Sequence, residues 1–196
     1  MTPLTRICVF CGSNQGDRPA YRQAAQRLGE TLARERIGLV YGGAKVGLMG
    51  VIADAVLAAG GEVIGVMPTA LRRREIQHDG LTELRQVDSM HERKALMAEL
   101  SSAFIALPGG IGTLDELFEA WSWNQLGLHR KPCALLNVEG FFDPLIEFLD
   151  LICRRRFMPP EHRAMLISGT EPEEILRALF AYEPPEVSKW IDRSQT

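Results

Sequence analysis

Long apolar runs, clustered cysteines, paired histidines and an excess of one charge are all missing from this 196-residue chain. No apolar stretch approaches the roughly 18 residues that a helix needs to cross a bilayer, so no membrane partner is expected. Cysteine occurs at 8, 11, 133 and 153, too few and too scattered for a disulfide framework. Cys8 and Cys11 have C-x-x-C spacing, but a redox pair normally sits at a helix N-terminus, where the dipole favours thiolate. These two lie in or beside an apolar strand and, three apart, point to opposite faces of it. The histidines (His78, His91, His129, His162) show no H-E-x-x-H or paired-ligand spacing, so no metal is expected. Net charge is −3, which suggests no polyanion partner, and nucleic acid is not expected. MTPLTRICVF has no small-residue cleavage pattern behind a basic start and reads as a first strand, with a cytoplasmic location expected.

What is present is strand, glycine-rich turn and helix, repeated. Continuous apolar strands are expected at 6–10, 38–41, 62–67, 103–107 and 133–137, with a short one at 82–87. Helices are expected at 18–36, from the turn after Tyr41 to about Ala59, at 90–101, about 112–126, 142–155 and about 171–181. Thr170 with Glu173 reads as the capping box of the last. Buried strands alternating with amphipathic helices indicate a parallel sheet covered on both faces. The fold class is therefore α/β, a Rossmann-like doubly wound sheet in three layers (α/β/α). One domain is expected over 1–182, followed by a polar, mobile tail at 183–196.

In such sheets ligands bind outside the carboxyl ends of the strands. Three turns there are rich in glycine: Cys11-Gly12-Ser13-Asn14, Tyr41-Gly42-Gly43 with Gly47 and Gly50, and Pro108 through Thr113. They fit close backbone packing, or a phosphate held on helix N-terminal amides with the Thr113 hydroxyl as an extra donor. There is no G-x-x-x-x-G-K-[ST], no G-x-G-x-x-G after the first strand and no acidic residue closing the second. A monophosphate fits better than a triphosphate or a dinucleotide. In MHERKALMAEL, Arg93 interrupts the stripe Met90, Met97, Leu100, so its guanidinium either snorkels out or meets an anion. On the helix after PGGIGT, Leu114, Leu117, Phe118 and Trp121 share one face. Glu116 lies opposite, as a plain surface carboxylate or a site residue. Ala120 and Trp123 on that same side suggest that a second subunit covers it.

PGGIGTLDE (108–116) and MHERK (90–94), together with FCGSN, YGGAKVGLMG, REI (74–76) and WSWNQLGLHRKP, resemble the Lonely Guy family over about residues 5–170. Its members are cytokinin riboside 5′-monophosphate phosphoribohydrolases often labelled lysine decarboxylases. The resemblance implies that Arg93 and Glu116 are catalytic, that Gly109, Gly110, Ile111, Gly112 and Thr113 cradle phosphate, and that Lys94 and Glu75 contact substrate. Ser13, Gly43, Met90, Leu114, Asp115 and Ser122 complete the expected substrate-binding set. Ser122 stands where relatives tend to carry threonine, and Asp115 where glutamate is common. The family further implies a homodimer. Cleaving an N-glycosidic bond builds positive charge on ribose, which a carboxylate at Glu116 would stabilise. No cofactor is expected, since neither Lys45 nor Lys94 has a Schiff-base context. The alternatives are a molybdenum-cofactor carrier without catalysis and a broader nucleoside monophosphate nucleosidase.

Overall fold

The computed structural model describes residues 4–72 and 77–185. Seven strands make one sheet: β1 (Arg6–Phe10), β2 (Gly38–Tyr41), β3 (Val63–Pro68), β4 (Glu83–Val87), β5 (Ala103–Ala106), β6 (Cys133–Leu136) and β7 (Leu166–Gly169). Their order is β4-β3-β2-β1-β5-β6-β7 and every pairing is parallel. A parallel sheet needs helices on both faces, and among the described residues eight α-helices are present: α1 (Pro19–Arg34), α2 (Gly47–Ala58), α3 (Thr69–Arg72), α4 (Met90–Leu100), α5 (Ile111–Gln125), α6 (Asp143–Arg154), α7 (Pro160–Ala164) and α8 (Pro172–Phe180). The fold is the expected α/β doubly wound sheet.

Alternation along the strands builds two cores. Ile7, Val9, Leu39, Ile105 and Ala134 face α1, α2 and α8, whereas Cys8, Phe10, Val40, Val66, Phe104 and Leu135 face α4, α5 and α6. Cys8 and Cys11 belong to opposite cores, as their spacing requires, and burial pushes both thiols up. They are free, inert core residues.

The chain winds outward from β1 to β4, then returns beside β1 as β5 and winds the other way. The turns after β1 and β5 thus lie side by side at the switch point, where an open α/β sheet forms its crevice.

Three expectations need correction. Thr170 and Glu173 do not form a capping box. Pro172 occupies the first turn of α8 and moves the N-cap to Glu171, which makes no side-chain cap. The Thr170 N–H instead donates to Glu174, and Glu173 accepts from Thr31 and Arg34 on α1, tying α8 to α1. The segment after β3 contains the short helix α3, and α7 and β7 lie in a stretch to which the sequence assigned no element. Of the expected tail, 183–185 are described and have no helix or strand; 186–196 lie outside the described residues.

Candidate active site

The three glycine-rich turns meet backbone to backbone. The Gly12 N–H donates to the Pro108 carbonyl at 3.1 Å, and the Leu48 N–H at the start of α2 donates to the Gly12 carbonyl at 3.0 Å. Glycine is required where these segments touch. A Cβ on Gly12 would come within 2.9 Å of the Asn14 carbonyl oxygen, and one on Gly47 (φ +59°) would run into the Ser13–Asn14 backbone. One on Gly109 would strike the Thr113 hydroxyl. These glycines serve packing, as does Thr113, which is buried.

Gly110 and Gly112 differ: a Cβ on either would meet nothing within 4 Å. Gly110 is the N-cap of α5 and offers no side-chain cap, so the first-turn amides of Ile111, Gly112 and Thr113 lack the capping partner a serine or aspartate would supply. The helix dipole adds a positive field there. A cleft of about 200 Å³ adjoins this end, walled by Ser13, Asn14, Tyr21, Gly109, Gly110 and Phe141.

In the second turn of α5 stands one half of an ion pair. The α4 N-terminus is set by Ser89, whose hydroxyl accepts the Glu92 N–H at 3.1 Å, while the Glu92 carboxylate accepts the Asp88 N–H at 2.8 Å. That capping places Arg93 in the first turn, facing the sheet. Its Nη1 donates to Glu116 Oε1 at 2.7 Å and its Nε to the Val66 carbonyl at 3.1 Å. Both side chains are only 11% exposed. Arg93 has therefore met an anion rather than snorkelled. Burial raises the Glu116 pKa above its ordinary value, and the Arg93 charge and hydrogen bond oppose that rise. The carboxylate is desolvated and paired with one guanidinium.

Lys94, expected on phosphate, lies between two carboxylates of α5, 3.2 Å from Asp115 Oδ2 and 3.0 Å from Glu119 Oε2. Burial lowers the Lys94 pKa, and the bonds to Glu119 and Asp115 outweigh it, leaving the ammonium above its ordinary value. Ala120 is buried against this chain's own core, and Trp123 is half-buried; their side of α5 does not require a partner.

Of the other expected substrate contacts, Ser13, Met90, Ile111 and Ser122 are exposed and Leu114 is half-buried. Gly43 (φ +79°) is buried under Leu84 and Met67 and accepts the His78 N–H through its carbonyl. Glu75 lies outside the described residues. Among the described residues no cluster of three or more His, Cys, Asp and Glu side chains is placed to hold a metal.

Sequence reading missed Tyr21 and Phe141 in the cleft wall, the Val66 carbonyl and the His78–Asp54 pair. His78 accepts the Gly80 N–H on Nδ1 at 3.1 Å, which leaves Nε2 to donate to Asp54 at 2.9 Å. Only the S-x-x-E at Ser89–Glu92 carried a local signal; the others join residues far apart in the chain.

The open and packed glycines should respond differently to one methyl group. Gly112→Ala is expected to hold or raise the melting temperature, since alanine favours a helix by about 1 kcal/mol, and to weaken binding of adenosine monophosphate about tenfold or more. Gly109→Ala should lower the melting temperature by forcing Thr113 and the Gly12 turn apart. Calorimetric titration of Gly112→Ala with unchanged affinity would put the anion elsewhere.

A family profile described as possible lysine decarboxylase matches residues 49–179. The probable cytokinin riboside 5′-monophosphate phosphoribohydrolase LOGL9 of Oryza sativa subsp. japonica is 49% identical over 179 residues, covering 91% of this chain and 79% of that one. The cytokinin riboside 5′-monophosphate phosphoribohydrolase LOG7 of Arabidopsis thaliana is also 49% identical, covering 91% and 82%. Among solved structures, the molybdenum cofactor binding protein of Rippkaea orientalis superimposes with a TM-score of 0.69 at 23% identity, over 92% of this chain and all of that one. The molybdenum cofactor carrier protein of Chlamydomonas reinhardtii gives 0.68 at 19% identity over 92% of this chain and all of its own. At such identities the likeness is one of fold. With sequence similarity spanning both the MHERK and PGGIGTLDE segments, the chain belongs to the LOG family of phosphoribohydrolases, which carries the lysine decarboxylase description.

Proposed function

We propose that this chain hydrolyses the N-glycosidic bond of adenosine 5′-monophosphate bearing an N6 substituent, releasing the free base and ribose 5-phosphate. The observation that carries the reading is the buried Arg93–Glu116 pair beside the open first turn of α5. Its relatives' names state the same reaction class.

The chemistry follows from where charge develops. As the bond from C1′ to the base nitrogen breaks, its electron pair leaves with the base and the ribose ring becomes cationic. Glu116, poorly hydrated and fixed, stabilises that cation more strongly than a solvated carboxylate would. It also accepts a proton from the water that adds to C1′ and afterwards gives it up to solvent, while the departing base takes one up from solvent. Arg93 holds the carboxylate in its rotamer and keeps it ionised until that proton arrives. The α5 amides around Gly112 hold the 5′-phosphate, which anchors the sugar by an interaction remote from the breaking bond. Lys94 serves by fastening α4 to α5, so that the two catalytic side chains keep their separation. Its protonated state is the opposite of what a Schiff-base nucleophile needs, which counts against the decarboxylase description.

A homodimer belongs to the same proposal. Support comes from α6, where Leu149 alone is fully buried while Phe148 (58%) and Leu151 (37%) are exposed, and from Phe157 just beyond it at 85% exposure. A single folded chain rarely presents three such side chains together. Light scattering at micromolar concentration is expected to give twice the 21.8 kDa chain mass, and a monomer would refute the dimer.

Incubation with isopentenyladenosine monophosphate and with adenosine monophosphate, followed by chromatography for free base, tests the activity. The N6-modified substrate should release base faster than the plain one. Equal rates would indicate a general nucleotide nucleosidase, and no base from either would favour a carrier. Glu116→Gln should retain nucleotide binding and lose at least about a hundredfold in turnover; near-normal turnover removes Glu116 from the mechanism.

A further inference from the structure

The three nitrogens of the Arg93 guanidinium face three different segments. Nε is fixed by the Val66 carbonyl on β3 and Nη1 by Glu116 on α5. Nη2 lies against Gly42 in the turn after β2, so close that a Cβ built on Gly42 would collide with it. The Met49 Sδ stands 3.4 Å from that same position, an ordinary contact. Gly42 is buried and is not one of the positive-φ glycines, so its backbone would accept an ordinary L side chain. Backbone conformation thus gives no reason for glycine here. The guanidinium does.

We infer that Gly42 is a positioning residue for the reaction: the room left by its missing side chain fixes the plane of the Arg93 guanidinium and, through it, the hydrogen bond to Glu116. The inference rests on the hydrolytic reading for its functional meaning, but its geometric core stands on the Arg93 contacts alone. A guanidinium is a rigid planar fork, so Nη2 cannot move without carrying Nη1 with it. A methyl group on Gly42 pushes Nη2 off the turn. Rotation about the side chain then breaks the 2.7 Å bond to Glu116 or the 3.1 Å bond to Val66. Nη2 has no hydrogen-bond acceptor among the described residues, so its protons remain for a ligand oxygen, and the same displacement misdirects them. Gly42 touches no reacting atom in this account; it acts through Arg93.

The test is a double-variant cycle read first by carbon-13 NMR titration of the Glu116 carboxyl, which needs no turnover. Besides Arg93, the charged and titratable groups that act on Glu116 are Lys94, Asp115 and the thiols of Cys8 and Cys11, and none of these is altered. Gly42→Ala is expected to raise the titration midpoint of Glu116, because the counter-ion that opposes burial has moved away. In the same variant kcat should fall about tenfold or more while KM moves less than about threefold. In the Arg93→Lys background, where no Nη2 exists, Gly42→Ala should add nothing to either readout. An unchanged midpoint in Gly42→Ala, or an equal shift in both backgrounds, overturns the inference. If Gly42→Ala does not fold, the variant that combines it with Arg93→Lys must fold; failure of both overturns it equally. Should the unaltered protein release no base, the hydrolytic reading falls while the titration still decides whether Gly42 sets Arg93.

Discussion

A carboxylate and a guanidinium removed from water must be held on every side, because burial penalises each charge and their mutual attraction repays it only at close, well-directed contact. The Arg93–Glu116 pair imposes that demand on the whole carboxyl edge of the sheet. It needs α4 and α5 at a fixed separation, supplied by Lys94 bridging to Asp115 and Glu119. It needs α4 to begin at one defined residue, supplied by the Ser89–Glu92 caps. It needs an acceptor for Nε, which is the Val66 carbonyl on β3. A pair so surrounded contributes little to stability and much to a fixed geometry, which is what catalysis on a sugar requires.

The second half of the site is made of backbone. Because β1 and β5 are neighbours, their turns press against each other, and the glycines at 12, 47 and 109 allow main chain to meet main chain. That contact orients the start of α5, leaving the open glycines at 110 and 112 facing outward with unsatisfied amides beside them. On the proposed reading, anion binding and charge stabilisation both come from the first and second turns of a single helix. The distance between the phosphate and the sugar's reacting carbon becomes a property of helix geometry rather than of flexible side chains.

The winding order was legible because β1, β2, β3, β5 and β6 are unbroken apolar runs, which only a sheet buried on both faces explains. β7 was not, since Leu166–Gly169 is short, ends in serine and glycine and lies half-exposed on a sheet edge. The Thr170–Glu173 pattern misled because Pro172 sets the start of α8 by itself, whereas the equivalent pattern at Ser89–Glu92 is the one that caps. PGGIGT and MHERK were visible as chemistry. What they could not reveal was how one glycine differs from the next: Gly109 is filled by Thr113 and by a turn nearly a hundred residues earlier, and Gly110 is not. The same applies to Lys94, whose partners are carboxylates on another helix, and to Ala120, whose apolar side faces its own core. Side-chain type and spacing announce a site; which partner each group meets is decided by contacts distant in sequence.

A crystal structure of the Glu116→Gln protein with bound adenosine monophosphate tests the central claim most directly. The account requires the phosphate oxygens on the amides of Ile111 and Gly112, with C1′ in contact with the side chain at 116 and a ligand oxygen near Arg93. A phosphate bound away from the start of α5, or a ribose turned from position 116 with the base in its place, would contradict it.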